Sequence, residues 1–132
     1  MILKDATPNL MVKNVKQTVG FYTSILGFDL VGSVPLPESE ELVFAMVRSG
    51  NVMFMFQQEA SIKEEYPQLV KFPQGGGLTF YIHVSDIQAL YDKLKGKTTI
   101  AKEMHDTFYG STDFAIEDCN GYILTFSQDN KQ

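Results

Sequence analysis

Cysteine, arginine and histidine are scarce in this chain, and long hydrophobic runs are missing. One cysteine, Cys119, cannot form an internal disulfide, which excludes a disulfide-stapled scaffold and makes a reduced, cytoplasmic setting the expectation. Cys119 also lacks an adjacent histidine or a second cysteine that would activate it as a nucleophile. Arg48 is the only arginine, and 11 basic residues stand against 16 acidic ones, for a formal net charge of -5. No stripe of concentrated positive charge is available for phosphates, so nucleic acid is not an expected partner. No segment approaches the roughly 18 apolar residues of a membrane span. Met1-Ile2-Leu3-Lys4-Asp5 does not lead from a basic region into a hydrophobic signal segment, so no membrane partner is expected either.

The chain does hold material for a core: 44% of its 132 residues are hydrophobic and 20% charged, the balance of one domain over 1–132. It also resembles itself. Thr7, Val12 and Val15 match Thr79, Val84 and Ile87 at a separation of 72 residues. Gly50-Asn51-Val52-Met53-Phe54-Met55-Phe56-Gln57 matches Gly121-Tyr122-Ile123-Leu124-Thr125-Phe126-Ser127-Gln128 at a separation of 71. The division is a first unit over 1–58, a connector over 59–77 and a second unit over 78–132.

Each unit reads as a strand, a helix and three further strands. Residues 9–13 form the first strand and 15–26 the helix. Asn14 caps it with Gln17 three residues on, and Val15, Val19, Tyr22 and Leu26 recur at helical spacing. Gly27 ends it. A strand from Phe28 is interrupted by Pro35 and Pro37, and strands over 41–49 and 51–57 pair around Ser49-Gly50-Asn51. The connector holds a short helix over 61–66, stopped before Pro67. Its Gly75-Gly76-Gly77 run reads as a flexible junction, since no Lys-Ser/Thr follows to make a phosphate cradle. The second unit places a strand over 78–84 and a helix led by Ser85 or Asp86, with Ile87, Leu90, Tyr91 and Leu94 on one face and a stop at Gly96. Strands over 98–102, 112–117 and 122–127 follow, with a turn at Asp118-Cys119-Asn120-Gly121. The prediction is an α+β fold in which two repeated β-α-β-β-β units form curved, mostly antiparallel sheets around a cavity, with helices on the outer faces.

Several strings carry a family likeness: Asn9-Leu10-Met11-Val12-Lys13-Asn14-Val15, Phe21-Tyr22 before Leu26-Gly27-Phe28, Val84-Ser85-Asp86-Ile87, and Asp118-Cys119-Asn120-Gly121-Tyr122-Ile123-Leu124. Their order and spacing over almost the whole chain resemble the vicinal oxygen chelate superfamily of glyoxalase I, extradiol dioxygenases, fosfomycin-modifying enzymes and bleomycin-resistance proteins. Phe108-Tyr109-Gly110, Phe114-Ala115-Ile116-Glu117-Asp118 and Gly121-Tyr122-Ile123-Leu124-Thr125-Phe126 are most similar to the bleomycin-resistance-like drug-binding group. That group usually has tryptophan before Tyr-Gly, arginine where Thr112 or Asp113 lies, and proline where Cys119 lies. Metal-dependent relatives place histidines and a glutamate at the positions that match Thr7, Thr79 and Thr125. Protonated hydroxyls are poor substitutes for imidazole or carboxylate at zinc or iron, so no metal and no cofactor are expected.

The resemblance therefore implies a metal-independent small-molecule binding or sequestration protein, with an aromatic or cationic antibiotic as the expected class, and more a binder than an enzyme. It implies a homodimer as well. The candidate ligand-binding residues are Phe54, Phe56, Thr79, Tyr81, His83, Phe108, Tyr109 and Thr125. Phe54 falls opposite Thr125 in the internal repeat and so is expected to face the cavity. Tyr81 and His83 share the strand face of Thr79, Phe108 and Tyr109 form the mouth, and the rings supply flat apolar area that attracts cations. Aromatics at strand spacing also fit an ordinary core, leaving a ligand-free structural dimer with a filled cavity open. The enzymatic alternative is a metal-dependent lyase, isomerase or dioxygenase-like activity at a non-standard site near His83. His105 is expected to be a surface or loop residue.

Overall fold

The computed structural model describes residues 2–130, and the chain divides into two compact units between Gln74 and Gly75. The first holds β1 (Asn9–Val12), α1 (Val15–Ser24), β2 (Asp29–Pro35), β3 (Leu42–Ser49), β4 (Val52–Gln58) and α2 (Glu59–Glu65), then a 3₁₀ turn at Pro67–Lys71. The second holds β5 (Thr79–His83), α3 (Ile87–Leu94), β6 (Thr99–Asp106), β7 (Ser111–Glu117) and β8 (Ile123–Asp129). Their sheets run β1-β4-β3-β2 and β5-β8-β7-β6. In each, the opening strand pairs parallel with the last, and the other pairings are antiparallel. The two β-α-β-β-β units are thus present, each with the same strand order. Among the described residues no helix is long and apolar enough to cross a membrane.

The helix of each unit lies where its apolar spacing directs it. The Asn14 side chain accepts a hydrogen bond from the Gln17 backbone N–H at 2.9 Å, satisfying one of the free donors at the start of α1. Val15, Thr18 and Tyr22 then recur on one buried face. The Tyr22 ring lies 5.7 Å from Phe54, 4.8 Å from Phe56 and 5.6 Å from Phe28, centroid to centroid. In the second unit the Asp86 side chain caps α3 through the Ala89 N–H, Ile87 and Leu94 are buried, and Tyr91 meets Phe114 edge-on at 5.2 Å. Two elements run longer than their sequence signals. β2 continues to Pro35, which sits at the end of a sheet edge where no ladder donor is needed. β6 continues to Asp106, so His105 belongs to a strand and not to a loop.

The facing of Phe54 and Phe56 corrects the expectation. Phe54 pairs with Val47 and Phe56 with Ala45, and all four are buried on the α1 side of the sheet. Met53 and Met55 alternate onto the opposite face, together with Phe44 and Met46. The reason is one of register. Val52 and Ile123, the first paired residues after each hairpin turn, keep the same separation as Gly50 and Gly121. The pairing with the opening strands instead sets Leu10–Phe56 beside Ile82–Phe126. A one-residue displacement sends every side chain to the other face.

Gly75 is tighter than a flexible junction requires. It has φ +81, and a Cβ added there would lie 2.5 Å from the Asn120 carbonyl oxygen. Gly75→Ala combines that overlap with a left-handed backbone that alanine disfavours. It is expected to lower stability by about 2 kcal/mol, read as a reduced urea midpoint. Gly77→Ala, with φ +83 but open space around it, is expected to cost less.

Candidate functional site

The face of the β5-β8-β7-β6 sheet opposite Phe114 and Phe126 gathers most of the chemistry-bearing side chains. One row crosses all four strands: His83 pairs with Ser127, Ser127 with Asp113, and Asp113 with His105. The neighbouring row runs from Tyr81 to Thr125 to Ala115 to Lys102. Register partners point to the same side of a sheet, so both rows share the face. Ala115, the small residue of its row, leaves room above the strand.

Asp113 is the centre of this arrangement. The residue is 3% exposed, yet its carboxylate is fully served. Ser111 donates to Oδ1 at 2.8 Å, and the Tyr81 and Tyr109 hydroxyls lie 3.1 and 3.3 Å from Oδ2. Ser127 also bonds to the carboxylate and lies 2.8 Å from the Tyr81 hydroxyl. Burial alone raises the pKa of the group and is the largest single influence. The hydrogen bonds from Ser127, Ser111, Tyr81 and Tyr109 together outweigh it and hold the carboxyl below the ordinary aspartate value. Asp113 is accordingly an ionised buried carboxylate at neutral pH. The Tyr109 hydroxyl is pushed up to about 12, first by its hydrogen bond with Tyr81, then by burial and by the Asp113 charge. The Tyr109 phenol stays protonated and is not tuned as a base near neutrality.

Above this network lies a pocket of about 380 Å³ lined by Tyr81, His83, Tyr109, Gly110, Ser111, Ser127 and Asp129. Tyr81 and Tyr109 are 47% and 56% exposed, although their hydroxyls are tied to the floor. The Tyr81 and His83 rings meet edge-on at 5.3 Å. Tyr109 reaches the pocket because the β6–β7 hairpin turns tightly: Thr107 N–H bonds to the Ser111 carbonyl at 2.8 Å, and Gly110 takes φ +95.

Of the sequence candidates, Tyr81, His83 and Tyr109 come together in this pocket. Thr79 and Thr125 occupy the same face but do not line it; Thr79 is exposed and Thr125 half-buried opposite Tyr81. Phe108 is 99% exposed at the hairpin tip, against Tyr109 at 5.0 Å. Phe54 and Phe56 belong to the core of the first unit. His105 is half-buried, with Nδ1 2.8 Å from the Glu103 carbonyl. Sequence reasoning missed Ser111, Asp113, Ser127 and Asp129. The signal was the alternation of Ser111, Asp113 and Ala115 against Phe114 and Ile116, which sets two polar side chains on a face that a simple core would fill with apolar ones.

The chain belongs to the Glyoxalase/Bleomycin resistance protein/Dioxygenase superfamily, whose family model matches residues 6–126. Among solved structures it is similar to a protein of unknown function from Agrobacterium tumefaciens str. C58, at TM-score 0.76 and 15% identity over 96% of this chain and 94% of that one. It is similar to the bleomycin-binding protein of Streptomyces verticillus, complexed with copper(II)-bleomycin, at TM-score 0.62 and 20% identity over 94% of each chain. TnmS3, an antibiotic-binding protein from Streptomyces sp. CB03234, matches at TM-score 0.68 and 16% identity over 98% and 99% of the two chains. No curated protein gives a significant sequence match. At these identities the structural likeness speaks for the fold. The superfamily spans small-molecule binding and metal-dependent catalysis, and the donor set decides which this chain can support. Thr7, Thr79 and Thr125 offer only hydroxyls, and among the described residues no three His, Cys, Asp or Glu side chains are grouped to hold a metal ion. A metal centre of the family type does not fit these residues.

Proposed function

We propose that this protein binds a small organic molecule on the open face of its second sheet, without a metal, and acts by sequestration. The observation that carries the reading is the 380 Å³ pocket, whose two exposed tyrosine rings are fixed by their hydroxyls to a buried carboxylate. That volume falls in the range of small-ligand sites. Rings held in place before binding lose little rotational freedom when a ligand stacks on them. An antibiotic or comparable aromatic molecule is the proposed ligand, in keeping with the two antibiotic-binding proteins of the same fold. Homodimerisation is part of the proposal. β2 is an edge strand exposed along its length, with Leu30, Val31 and Val34 each about half exposed, and a second copy would cover it. A cytoplasmic location accompanies it.

A thermal-shift screen of aromatic compounds, with and without a chelator, tests the reading. A hit is expected to stabilise the protein equally in both conditions and to lose about tenfold in affinity on Tyr81→Ala or Tyr109→Ala. A hit whose binding vanishes with chelator, or is indifferent to both tyrosines, would remove the metal-independent site from consideration. The oligomeric state is read separately by sedimentation, where a monomer at micromolar concentration defeats the dimer.

A further inference from the structure

Every hydroxyl on the floor of the pocket has its proton committed inward. Ser111 donates to Asp113 Oδ1 at 2.8 Å, and Ser127 bonds to the same carboxylate. Tyr81 has Asp113 Oδ2 at 3.1 Å and Ser127 Oγ at 2.8 Å as acceptors. Tyr109 has Asp113 Oδ2 at 3.3 Å. A hydroxyl carries one proton and two lone pairs. The ionised carboxylate only accepts: it takes the Ser111 and Ser127 protons, the Tyr81 proton is shared between Asp113 and Ser127, and the Tyr109 proton between Asp113 and Tyr81, so the protons lie within the network and the side left for a ligand is lone pairs. Thr107 feeds the same chain from behind, 2.9 Å from the Ser111 hydroxyl. A second carboxylate, Asp129, lines the wall, and among the described residues no lysine or arginine does.

We infer that the pocket is an acceptor-only site selective for a cationic donor, a protonated amine or guanidinium carried on an aromatic or apolar skeleton. This rests on the binding reading above and specifies its ligand class. The positive group meets oxygen lone pairs on the floor and the negative potential of the buried Asp113 behind them. The faces of Tyr81 and Tyr109 add attraction for the same charge. A carboxylate or phosphate ligand meets oxygen lone pairs with the Asp113 charge behind them, and is rejected. Asp113 acts through the hydroxyls it orients and is a positioning residue. Tyr81 and Tyr109 make the contact.

Three compounds on one skeleton test this: 2-naphthylmethylammonium, 2-naphthylmethanol and 2-naphthoate, titrated by calorimetry, with chemical-shift changes locating the site. The ammonium is expected to bind about tenfold or more tighter than the alcohol, as for a hydrogen bond to a charged partner, and the naphthoate weakest. Asp113→Asn replaces an acceptor by an amide that also donates, so some hydroxyl protons turn outward. The ammonium preference is expected to collapse and naphthoate binding to rise. Tyr109→Phe, at an exposed position, removes one lone-pair donor to the cation and is expected to lower the preference several-fold whether or not Asp113→Asn folds. Equal affinity for ammonium and alcohol would overturn the cation selectivity while leaving the binding site in place. No shift of the pocket resonances with any of the three would overturn both.

Discussion

Phe56→Ala is expected to cost about 3–5 kcal/mol of folding stability, the range for emptying a buried aromatic site, whereas Met55→Ala costs about 1 kcal/mol. Phe56 is fully buried, with its ring 4.8 Å from Tyr22 and its strand partner Ala45 also buried. Ala45 and Val47 are too rigid and too small to refill the space, so the cavity persists. Met55 sits on the other face, half-buried and flexible. Urea denaturation of the two variants reads the difference directly. Equal losses, or a larger loss at Met55, would mean that β4 is turned over and that the sequence-derived facing of Phe54 was correct after all.

The second large effect is expected at Asp113. Asp113→Ala removes the acceptor shared by four hydroxyls. Tyr81 and Tyr109 are exposed enough to re-pair with water, but Ser111 and Ser127 are buried and lose the acceptor of their protons, with Thr107 and Tyr81 remaining beside them. An unsatisfied buried hydroxyl costs about 1–3 kcal/mol, so a loss of about 3 kcal/mol is expected, and Asp113→Asn should lose less. The same network has a pH signature. Because the folded pKa of Asp113 lies below its unfolded value, the unfolded chain binds a proton that the folded chain refuses. Its contribution is complete above the unfolded value of about 3.9 and is lost as pH falls through the lower folded value. Urea midpoints followed from pH 6 to pH 2.5 should fall more steeply below about pH 4 in the native protein than in Asp113→Asn. Parallel curves would show that Asp113 is not held ionised by these hydroxyls.

Both predictions bear on how much of the molecule the sequence discloses. The helices were legible because their signals are local: Asn14 and Asp86 accept from N–H groups three residues away, and Val15 and Tyr22, or Ile87 and Leu94, recur on one turn-related face. The ends of β2 and β6 were not, because a strand's length depends on whether a partner continues beside it. β7 carries β6 as far as Asp106. Tyr81, His83 and Tyr109 were recognisable as site residues from strand parity and from aromatics beside a glycine. Asp113 gives no such signal, since a carboxylate in a strand ordinarily means a solvated face. Only its four hydroxyl partners, from β5, β7, β8 and the β6–β7 turn, mark it as the organiser of a pocket.

By itself, then, the sequence determined the twofold β-α-β-β-β plan, the helix caps, the apolar faces and the poverty of metal-binding side chains, because each depends on residue type and short-range spacing. Tertiary structure alone decided which face each strand presents, since the pairing with the opening strands sets Phe56 beside Leu10 and Phe126 beside Ile82, one residue off the match that the repeated sequence suggests. It also decided that Ser111, Ser127, Tyr81 and Tyr109 converge on Asp113. That convergence is a property of register between strands up to 46 residues apart, and no local pattern encodes it.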